Sequence, residues 1–214
     1  MNIPTKITTA RIVLVVAMLI GLFICSVIPD FQAPLLGDSG INLVYLIACI
    51  VFIVASTTDW LDGYLARKWH QVTDLGKFLD PIADKLLVNS TLIFLAIPFG
   101  FASSQNTFIP AFCVIIMIAR DLVVDALRLV AAKKNEVIAA NIFGKLKTVF
   151  QMVAIPFALL GGWPFTYFDA GWGYGRICYI LIYIATAMSI ISGVIYLKDN
   201  FHILKEDESN ESHA

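Results

Sequence analysis

The chain has 214 residues and a formal net charge of −1 at pH 7, and 59% of its residues are apolar while 14% are charged. Soluble domains usually carry about 45–50% apolar and about 25% charged residues, so a mean hydropathy of +0.81 excludes an ordinary water-soluble domain. The near-neutral charge gives no reason to expect a nucleic-acid partner. We therefore expect a single membrane-embedded domain over residues 1–204.

The N-terminal residues 2–9 mix helix-capping residues, a proline and apolar side chains. This pattern predicts a short amphipathic segment on the membrane surface. The apolar sequence from Ile12 to Ile28 then continues into Pro29 and Asp30 without a small-residue cleavage pattern. We therefore expect the first hydrophobic segment to remain in the protein.

Six segments along the chain are long and apolar enough to cross a membrane as helices, which takes about 20 residues each. The predicted spans are residues 10–29, 42–66, 77–99, 108–131, 145–162 and 176–197. Lysine and arginine concentrate at the N-terminus, in the second and fourth connections and near the C-terminus, as cytoplasmic segments do. The sequence thus predicts an all-α protein of the cell membrane, with both termini in the cytoplasm.

Neither the cysteines nor the C-terminal tail indicates a second functional centre. The four cysteines all lie in apolar runs without CxxC spacing, which argues against a zinc site and against a disulfide framework. Residues 205–214 are acidic and contain almost no apolar side chains. We expect them to form a disordered cytoplasmic tail.

Four aspartates flank the second connection: Asp59, Asp62, Asp80 and Asp84. Helical spacing of three and four residues puts each pair on one helix face, so we expect all four carboxylates to cluster at the membrane boundary. Clustered carboxylates near apolar surroundings repel one another and lose hydration energy unless cations neutralise them. Ligands that are all oxygen favour hard cations, which predicts two Mg²⁺ or Mn²⁺ ions bridging a diphosphate.

Two glycines and an arginine accompany the aspartates. Gly63 and Gly76 have no side chain, which lets a nucleotide or its phosphates approach the backbone closely. Arg67 could neutralise a diphosphate. The alternative is that the aspartates are solvated helix ends paired with nearby lysines, which are Lys68, Lys77 and Lys85. The fixed spacing of eight residue types argues against this alternative, because it is far more specific than a lone glycine motif.

These residues match the pattern D-x2-D-G-x2-A-R-x8-G-x3-D-x3-D, and in this the chain resembles the CDP-alcohol phosphatidyltransferase family. The resemblance implies a six-helix membrane fold, a homodimer and two divalent metal ions. It also implies a CDP-linked lipid donor that an alcohol attacks directly, with release of CMP.

The resemblance further implies roles for individual residues. Asp84 would act as general base on the acceptor hydroxyl. The metal ligands would be Asp59, Asp62, Asp80 and Asp84. The nucleotide pocket would comprise Asp59, Gly63, Ala66, Arg67, Thr73 and Gly76.

A second group of charges lies on the fourth and fifth predicted spans. Arg120 should lie well inside the protein, where an ionised side chain marks a function or a buried pair. Asp121 could pair with Arg120, and Asp125 could pair with Arg128. The functional interpretation is a pocket for a phosphate carried by the acceptor. Its ligands would be Arg120, Arg128, Lys145 and Lys147.

With the opening Asn-Ile-Pro-x-x-Ile-Thr-x-x-Arg, these segments resemble the branch of the family that uses CDP-diacylglycerol and glycerol 3-phosphate. Thr5 stands where asparagine is usual in that branch, and Asp121 stands where glutamate is common. Alternative acceptors are inositol phosphate, serine or a second lipid. From a different class, a divalent cation transporter would also carry acidic residues in membrane helices, although none lies deep in the first, fifth or sixth span. A noncatalytic scaffold would not explain the clustered carboxylates.

Overall fold

The computed structural model describes residues 2–37, 41–69, 73–98, 109–134, 136, 138, 142–164 and 176–204. Within these ranges the chain forms six long helices. They are α1 (Ile3–Val27), α2 (Leu43–Lys68), α3 (Asp74–Ala96), α4 (Ala111–Lys133), α5 (Ile142–Leu159) and α6 (Arg176–Asp199). A 3₁₀ turn, Phe201–Leu204, follows α6.

Each long helix coincides with one predicted hydrophobic segment, but the N-terminus differs from its prediction. Residues 3–9 do not form a separate surface segment, since they are the first turns of the continuous helix α1. Pro4 lies at the start of this helix, where its missing N–H and fixed φ are compatible with helical structure. The proline therefore begins the helix instead of separating two elements.

A short β-ribbon between α1 and α2 was not predicted. Strands β1 (Leu35–Leu36) and β2 (Ile41–Asn42) pair in antiparallel fashion. Directly after the ribbon, the side-chain oxygen of Asn42 accepts hydrogen bonds from the N–H groups of Val44 (2.9 Å) and Tyr45 (3.3 Å). Asn42 thus closes the ribbon and also caps the start of α2.

Among the described residues, four segments are long and apolar enough to cross a membrane. They are Thr5–Val27, Leu43–Tyr64, Ile142–Leu159 and Cys178–Asp199. Helices α3 and α4 have 23 residues each, but both carry several charged side chains along their length. The protein is therefore an integral membrane protein. The prediction that it has six spans is not confirmed.

The six helices pack around one apolar core. Helix α1 packs against α2 and α3, while α6 packs against α4 and α5. Their shared core includes Phe52, Leu87 and Ile155, all of them buried. Outward-facing apolar side chains such as Ile115 and Leu129 are mostly exposed, as expected for helix surfaces in contact with lipid.

The predicted tail, residues 205–214, lies outside the described residues, so its disorder stays a prediction. The chain before it ends on the 3₁₀ turn, which contacts α4 and α6 and buries Ile203. This contact holds the end of α6 close to α4, the helix that carries Arg120 and Arg128.

Candidate active site

The first turns of α1 carry a buried polar face formed by Thr5, Thr8 and Arg11. Residues three apart on a helix share one face, so these side chains all point the same way. Helix α1 packs against α2 and α3, which carry the aspartates of the motif. Buried polar groups need hydrogen-bond partners, and the aspartates provide one for the Thr8 hydroxyl and one for Arg11 Nη1, while Arg11 Nε and Nη2 have none among the described residues.

Three of the four motif aspartates gather around Thr8 and Arg11. Thr8 Oγ1 lies 3.0 Å from Asp62 Oδ2 and also 3.0 Å from Asp80 Oδ1. Arg11 Nη1 donates a hydrogen bond to Asp59 Oδ1, and Arg11 Nη2 lies 4.0 Å from Asp80 Oδ1. The Arg11 side chain is only 1% exposed, whereas Asp59 and Asp80 are 42% and 47% exposed, so a buried charge meets two carboxylates that water still reaches.

The chemistry of this acidic group suits a hard divalent cation. The hydroxyl of Thr8 has a single hydrogen, so it cannot donate to Asp62 and Asp80 at the same time. One of the two oxygens that face it is therefore left without the threonine proton, and a cation would satisfy that oxygen. Every ligand atom in the group is oxygen, as Mg²⁺ and Mn²⁺ prefer.

The acidic group is nevertheless looser than the sequence predicted. Within the described ranges, no three Asp, Glu, His or Cys side chains come close enough to hold a metal ion by themselves. The guanidinium of Arg11 contacts both Asp59 and Asp80 and supplies positive charge there. Arg11 is thus a positive charge inside the acidic group, and metal binding by the four aspartates stays a prediction.

Asp84 lines a cavity that none of the other three motif aspartates lines. This cavity has a volume of about 250 Å³ and is formed by side chains of α3, α4, α5 and α6. All four residues predicted to bind the acceptor phosphate line it together with Asp84. They are Arg120, Arg128, Lys145 and Lys147.

Two of the four cations are held by Asp121. Lys147 Nζ lies 2.7 Å and 2.6 Å from the two carboxylate oxygens of Asp121. Arg120 Nη1 donates to Asp121 Oδ1 at 3.1 Å. All three side chains are largely buried, at 14% exposure for Arg120, 16% for Asp121 and 6% for Lys147. The predicted pairing of Arg120 with Asp121 is present, and Lys147 shares it.

The predicted pairing of Asp125 with Arg128 is wrong. Asp125 pairs across the helix interface with Lys85 of α3. Arg128 turns instead towards α6, where its Nε donates to the hydroxyl of Tyr196 at 2.8 Å. Helix packing thus separates two residues whose sequence spacing would allow a contact.

The charges lining the cavity do not balance. Its five cationic side chains and three carboxylates leave a formal excess of two positive charges. Among the described residues, no carboxylate pairs with Arg128 or with Lys145. A phosphate monoester, which carries about −1.5 to −2 charge at pH 7, would match this excess.

The residues predicted to form the nucleotide pocket are only partly described. Thr73 caps α3 by accepting a hydrogen bond from Gly76 N at 3.0 Å, and its hydroxyl lies 2.8 Å from Thr5 Oγ1. A Cβ atom on Gly76 would lie 3.1 Å from Thr73 Oγ1, so the tight cap is one reason for a glycine there. Gly63 directly follows Asp62 on α2. The side chains of Ala66 and Arg67 lie outside the described residues.

Sequence reasoning missed four residues of this region. Thr8 and Arg11 were seen only as part of the opening segment, although polar residues three apart in an apolar helix are a signal for a buried polar face. Ser192 and Tyr196 lie on α6, and Ser192 accepts a hydrogen bond from Arg120 Nη2. They are polar residues in a mostly apolar helix, with no motif to mark them.

An acidic group of oxygen ligands beside a cationic cavity, in a protein with membrane-spanning helices, is suited to transferring a phosphate-linked group. The sequence model of the CDP-alcohol phosphatidyltransferases matches residues 1–191, and the chain belongs to this family.

Relatives from three bacteria match nearly the whole chain and share the name CDP-diacylglycerol–glycerol-3-phosphate 3-phosphatidyltransferase. The Bacillus subtilis (strain 168) protein is 41% identical over 206 residues, which cover 95% of this chain and 97% of the relative. The Haemophilus influenzae protein is 36% identical over 92% of each chain. The Pectobacterium atrosepticum protein is 35% identical, covering 96% of this chain and 98% of its own.

Proposed function

We propose that this protein transfers the phosphatidyl group of CDP-diacylglycerol to glycerol 3-phosphate and releases CMP, a step in phosphatidylglycerol synthesis. One observation carries the proposal: Asp84 of the family motif lines the same cavity as the two cations without a carboxylate partner among the described residues, Arg128 and Lys145. An acceptor bound there could place its phosphate on the cations and its hydroxyl near Asp84. The names of the relatives agree with this reaction.

The four predicted cations would contribute unequally to binding the acceptor phosphate. Asp121 already holds Arg120 and Lys147, so these two chiefly fix the wall of the cavity. Arg128 and Lys145 are more exposed than Arg120 and Lys147, and their positive charges can interact with a ligand. An acceptor without a phosphate, such as serine, would leave their charge unmatched.

The reaction would be a direct displacement. Asp84 takes the proton from the acceptor hydroxyl while the hydroxyl oxygen forms a bond to the β-phosphorus of the donor. The bond from that phosphorus to the oxygen of CMP breaks, and CMP leaves with the bonding electrons. No residue of the protein needs to form a covalent intermediate.

Two divalent cations, Mg²⁺ or Mn²⁺, would complete the site. When bound, such ions stabilise negative charge on the entering and leaving oxygens of a phosphoryl transfer. Asp59, Asp62, Asp80 and Asp84 would hold them. The donor nucleotide would bind beside them, bordered by Asp59, Gly63, Ala66, Arg67, Thr73 and Gly76.

We further propose six spans in the cytoplasmic membrane, with the active site and both termini in the cytoplasm. The buried pair of Arg120 and Asp121 supports a span for α4, because charges paired inside the protein do not have to face lipid. Residues 1–204 would form one catalytic domain, followed by the acidic tail. The active protein would be a homodimer, as the family resemblance implies.

The experiment that tests the reaction measures CMP release from CDP-diacylglycerol by purified protein in detergent micelles. We expect CMP only with glycerol 3-phosphate and none with serine or inositol 1-phosphate. EDTA should abolish the release, and Mg²⁺ or Mn²⁺ should restore it. Preferred turnover of another alcohol would overturn the acceptor, and full activity in EDTA would overturn the metal proposal. Uptake of Mn²⁺ into vesicles without CMP formation would favour a transporter.

Substitution of Arg128 and Lys145, the two cations without a carboxylate partner among the described residues, tests the acceptor cavity. Arg128→Ala and Lys145→Ala should each raise the KM for glycerol 3-phosphate about tenfold or more, since each removes a charged hydrogen bond to the phosphate. The KM for CDP-diacylglycerol should stay near its wild-type value. Lys133→Ala, at the exposed end of α4, is the matched control. A rise in the donor KM instead would mean that this cavity binds the donor.

A further inference from the structure

We infer that α6 positions both arginines of the acceptor cavity through Ser192, Gly193 and Tyr196. The inference rests on the proposed function, because it concerns how the same cavity binds its phosphate. Tyr196 lies four residues after Ser192 and three after Gly193, so both are its neighbours on the surface of α6. That helix packs on α4, which carries both arginines, and on α5.

Tyr196 fixes the direction of Arg128. Its hydroxyl accepts the hydrogen bond from Arg128 Nε, and Arg128 Cζ lies 5.5 Å from the centre of its ring. The ring is buried in a small cluster with Val124 and Leu127, so it is a rigid support. Because Nε is used by Tyr196, the two outer nitrogens of Arg128 remain for a bidentate contact with a phosphate.

Arg120 is confined by α5 and α6 together. Its Nη2 donates to Ser192, which is fully buried. A Cβ atom on Gly193 would lie 3.0 Å from Arg120 Cγ, and a Cβ atom on Gly144 would lie 3.3 Å from both Arg120 Nη2 and Ser192 Oγ. Cγ belongs to the stem of the side chain and cannot move without a change of rotamer. Gly144 and Gly193 therefore provide the space that the Arg120 side chain occupies, and a larger residue at either position would reduce that space.

These contacts direct both arginine side chains to residues one helical turn apart on α6. Arg120 and Arg128 are eight residues apart on α4, about 12 Å along its axis, whereas Ser192 and Tyr196 are four residues apart on α6, about 6 Å. The arginine side chains thus converge on one turn of α6. We assign these α6 residues a positioning role, since they act on the acceptor phosphate through the arginines.

The test compares three substitutions with matched controls. Tyr196→Phe, Ser192→Ala and Gly193→Ala should each raise the KM for glycerol 3-phosphate, about tenfold for the lost hydrogen bond in Tyr196→Phe. The donor KM should not change. Tyr183→Phe changes an exposed tyrosine of α6 and should keep wild-type values.

Two further controls match the other substitutions. Ser189→Ala removes a buried hydroxyl of α6 that has no hydrogen-bond partner within the described chain. Gly21→Ala adds a Cβ atom with nothing within 4 Å. Both should keep wild-type values.

A positioning role also predicts non-additivity. Since Tyr196 acts through Arg128, Tyr196→Phe should add little to the effect of Arg128→Ala in the double variant. Three results would overturn the inference. They are full additivity in the double variant, an unchanged acceptor KM in Tyr196→Phe, and a rise in the donor KM equal to the rise in the acceptor KM.

Binding of inorganic phosphate, measured by titration calorimetry in detergent, separates this inference from the proposed function. Weaker phosphate binding in Tyr196→Phe than in Tyr183→Phe supports the positioning role even if wild-type protein releases no CMP with glycerol 3-phosphate. That missing release would overturn the proposed function alone. Equal phosphate binding in the two variants would overturn the positioning role even if the reaction is as proposed.

Discussion

Thr8 is a single hydroxyl between two carboxylates, and this arrangement makes it a sensitive probe of the acidic group. Thr8→Val keeps the shape of the side chain but removes the hydroxyl that lies within hydrogen-bond distance of both Asp62 and Asp80. We expect turnover measured by CMP release to fall at least about tenfold, because Asp62 is buried and has lost a hydrogen bond to its charged group. Thr8→Ser should restore most of it.

Thr9→Val provides the control for that change. The Thr9 hydroxyl donates to the backbone oxygen of Thr5 at 2.9 Å, one turn earlier in the same helix. Its loss should leave CMP release close to wild type. Equal effects of the two valine substitutions would mean that Thr8 contributes only to helix packing.

Substitution of Asp84 distinguishes binding of the donor from the chemical step. Asp84→Asn should still bind CDP-diacylglycerol but lose turnover with every acceptor, by about 10²–10⁴-fold, the usual contribution of a general base. Asp199→Asn, at the exposed end of α6, is the charge-matched control. Acid-quenched protein incubated with labelled donor alone should carry no label. A stoichiometric phosphatidyl adduct would contradict direct displacement and would require a nucleophile.

The sequence could predict which residues carry charge in the site but not all of their partners. The aspartate motif follows from the chemistry of phosphoryl transfer, and its spacing is visible in the sequence alone. The contact of Arg11 with Asp59 joins residues 48 positions apart. Such contacts depend on how the helices cross, and one sequence without an alignment does not specify that. The same limit explains why Lys85, and not Arg128, is the partner of Asp125.

At the scale of elements, hydropathy located all six helices because each contains a long apolar run. It failed where an element is polar or very short. The start of α1 was separated from its helix because proline and threonine also occur in loops. The ribbon of Leu35–Leu36 with Ile41–Asn42 has two residues per strand, too few for an alternating pattern to show.

Thr73 joins two elements, since it caps α3 and contacts Thr5 of α1. Thr73→Ala should lower the free energy of unfolding by about 1 kcal/mol, the typical loss for a helix N-cap. Thr73→Ser should restore it, because serine keeps the hydroxyl. The measurement is the thermal unfolding midpoint in detergent. Thr148→Ala is the control, because the Thr148 hydroxyl only donates to the backbone oxygen of Gly144, one turn earlier in the same helix. A stable Thr73→Ala variant that is inactive would instead favour the predicted nucleotide contact.

At the scale of the whole molecule, the number of membrane spans depends on whether α3 and α4 cross the membrane. Their charged residues keep them below the hydropathy of the other four helices. Two of those charges, Arg120 and Asp121 of α4, are largely buried and pair with each other, and Lys147 of α5 joins them. Hydropathy counts a charge equally whether it faces lipid or the protein interior, so it underestimates a helix whose charges line an internal cavity.

The connection between α3 and α4 decides between six spans and four. If α3 and α4 both cross, exposed Pro98 at the end of α3 lies outside the cell; if neither crosses, it lies in the cytoplasm. Pro98→Cys would be made in a variant whose four native cysteines are replaced by alanine. It would then be treated with a membrane-impermeant maleimide in intact cells. We expect labelling without permeabilisation, because the buried charge pairs allow α3 and α4 to span the membrane.

Two control positions make the labelling result decisive. Gln32→Cys, exposed between α1 and the ribbon, should be labelled in intact cells under both arrangements, whereas Lys133→Cys, at the end of α4, should need permeabilisation under both. CMP release by each variant shows that it is folded. If Pro98→Cys behaves like Lys133→Cys while Gln32→Cys is labelled from outside, α3 and α4 do not cross the membrane. If Lys133→Cys is labelled in intact cells, the active site faces outward, where neither CDP-diacylglycerol nor glycerol 3-phosphate from the cytoplasm would reach it.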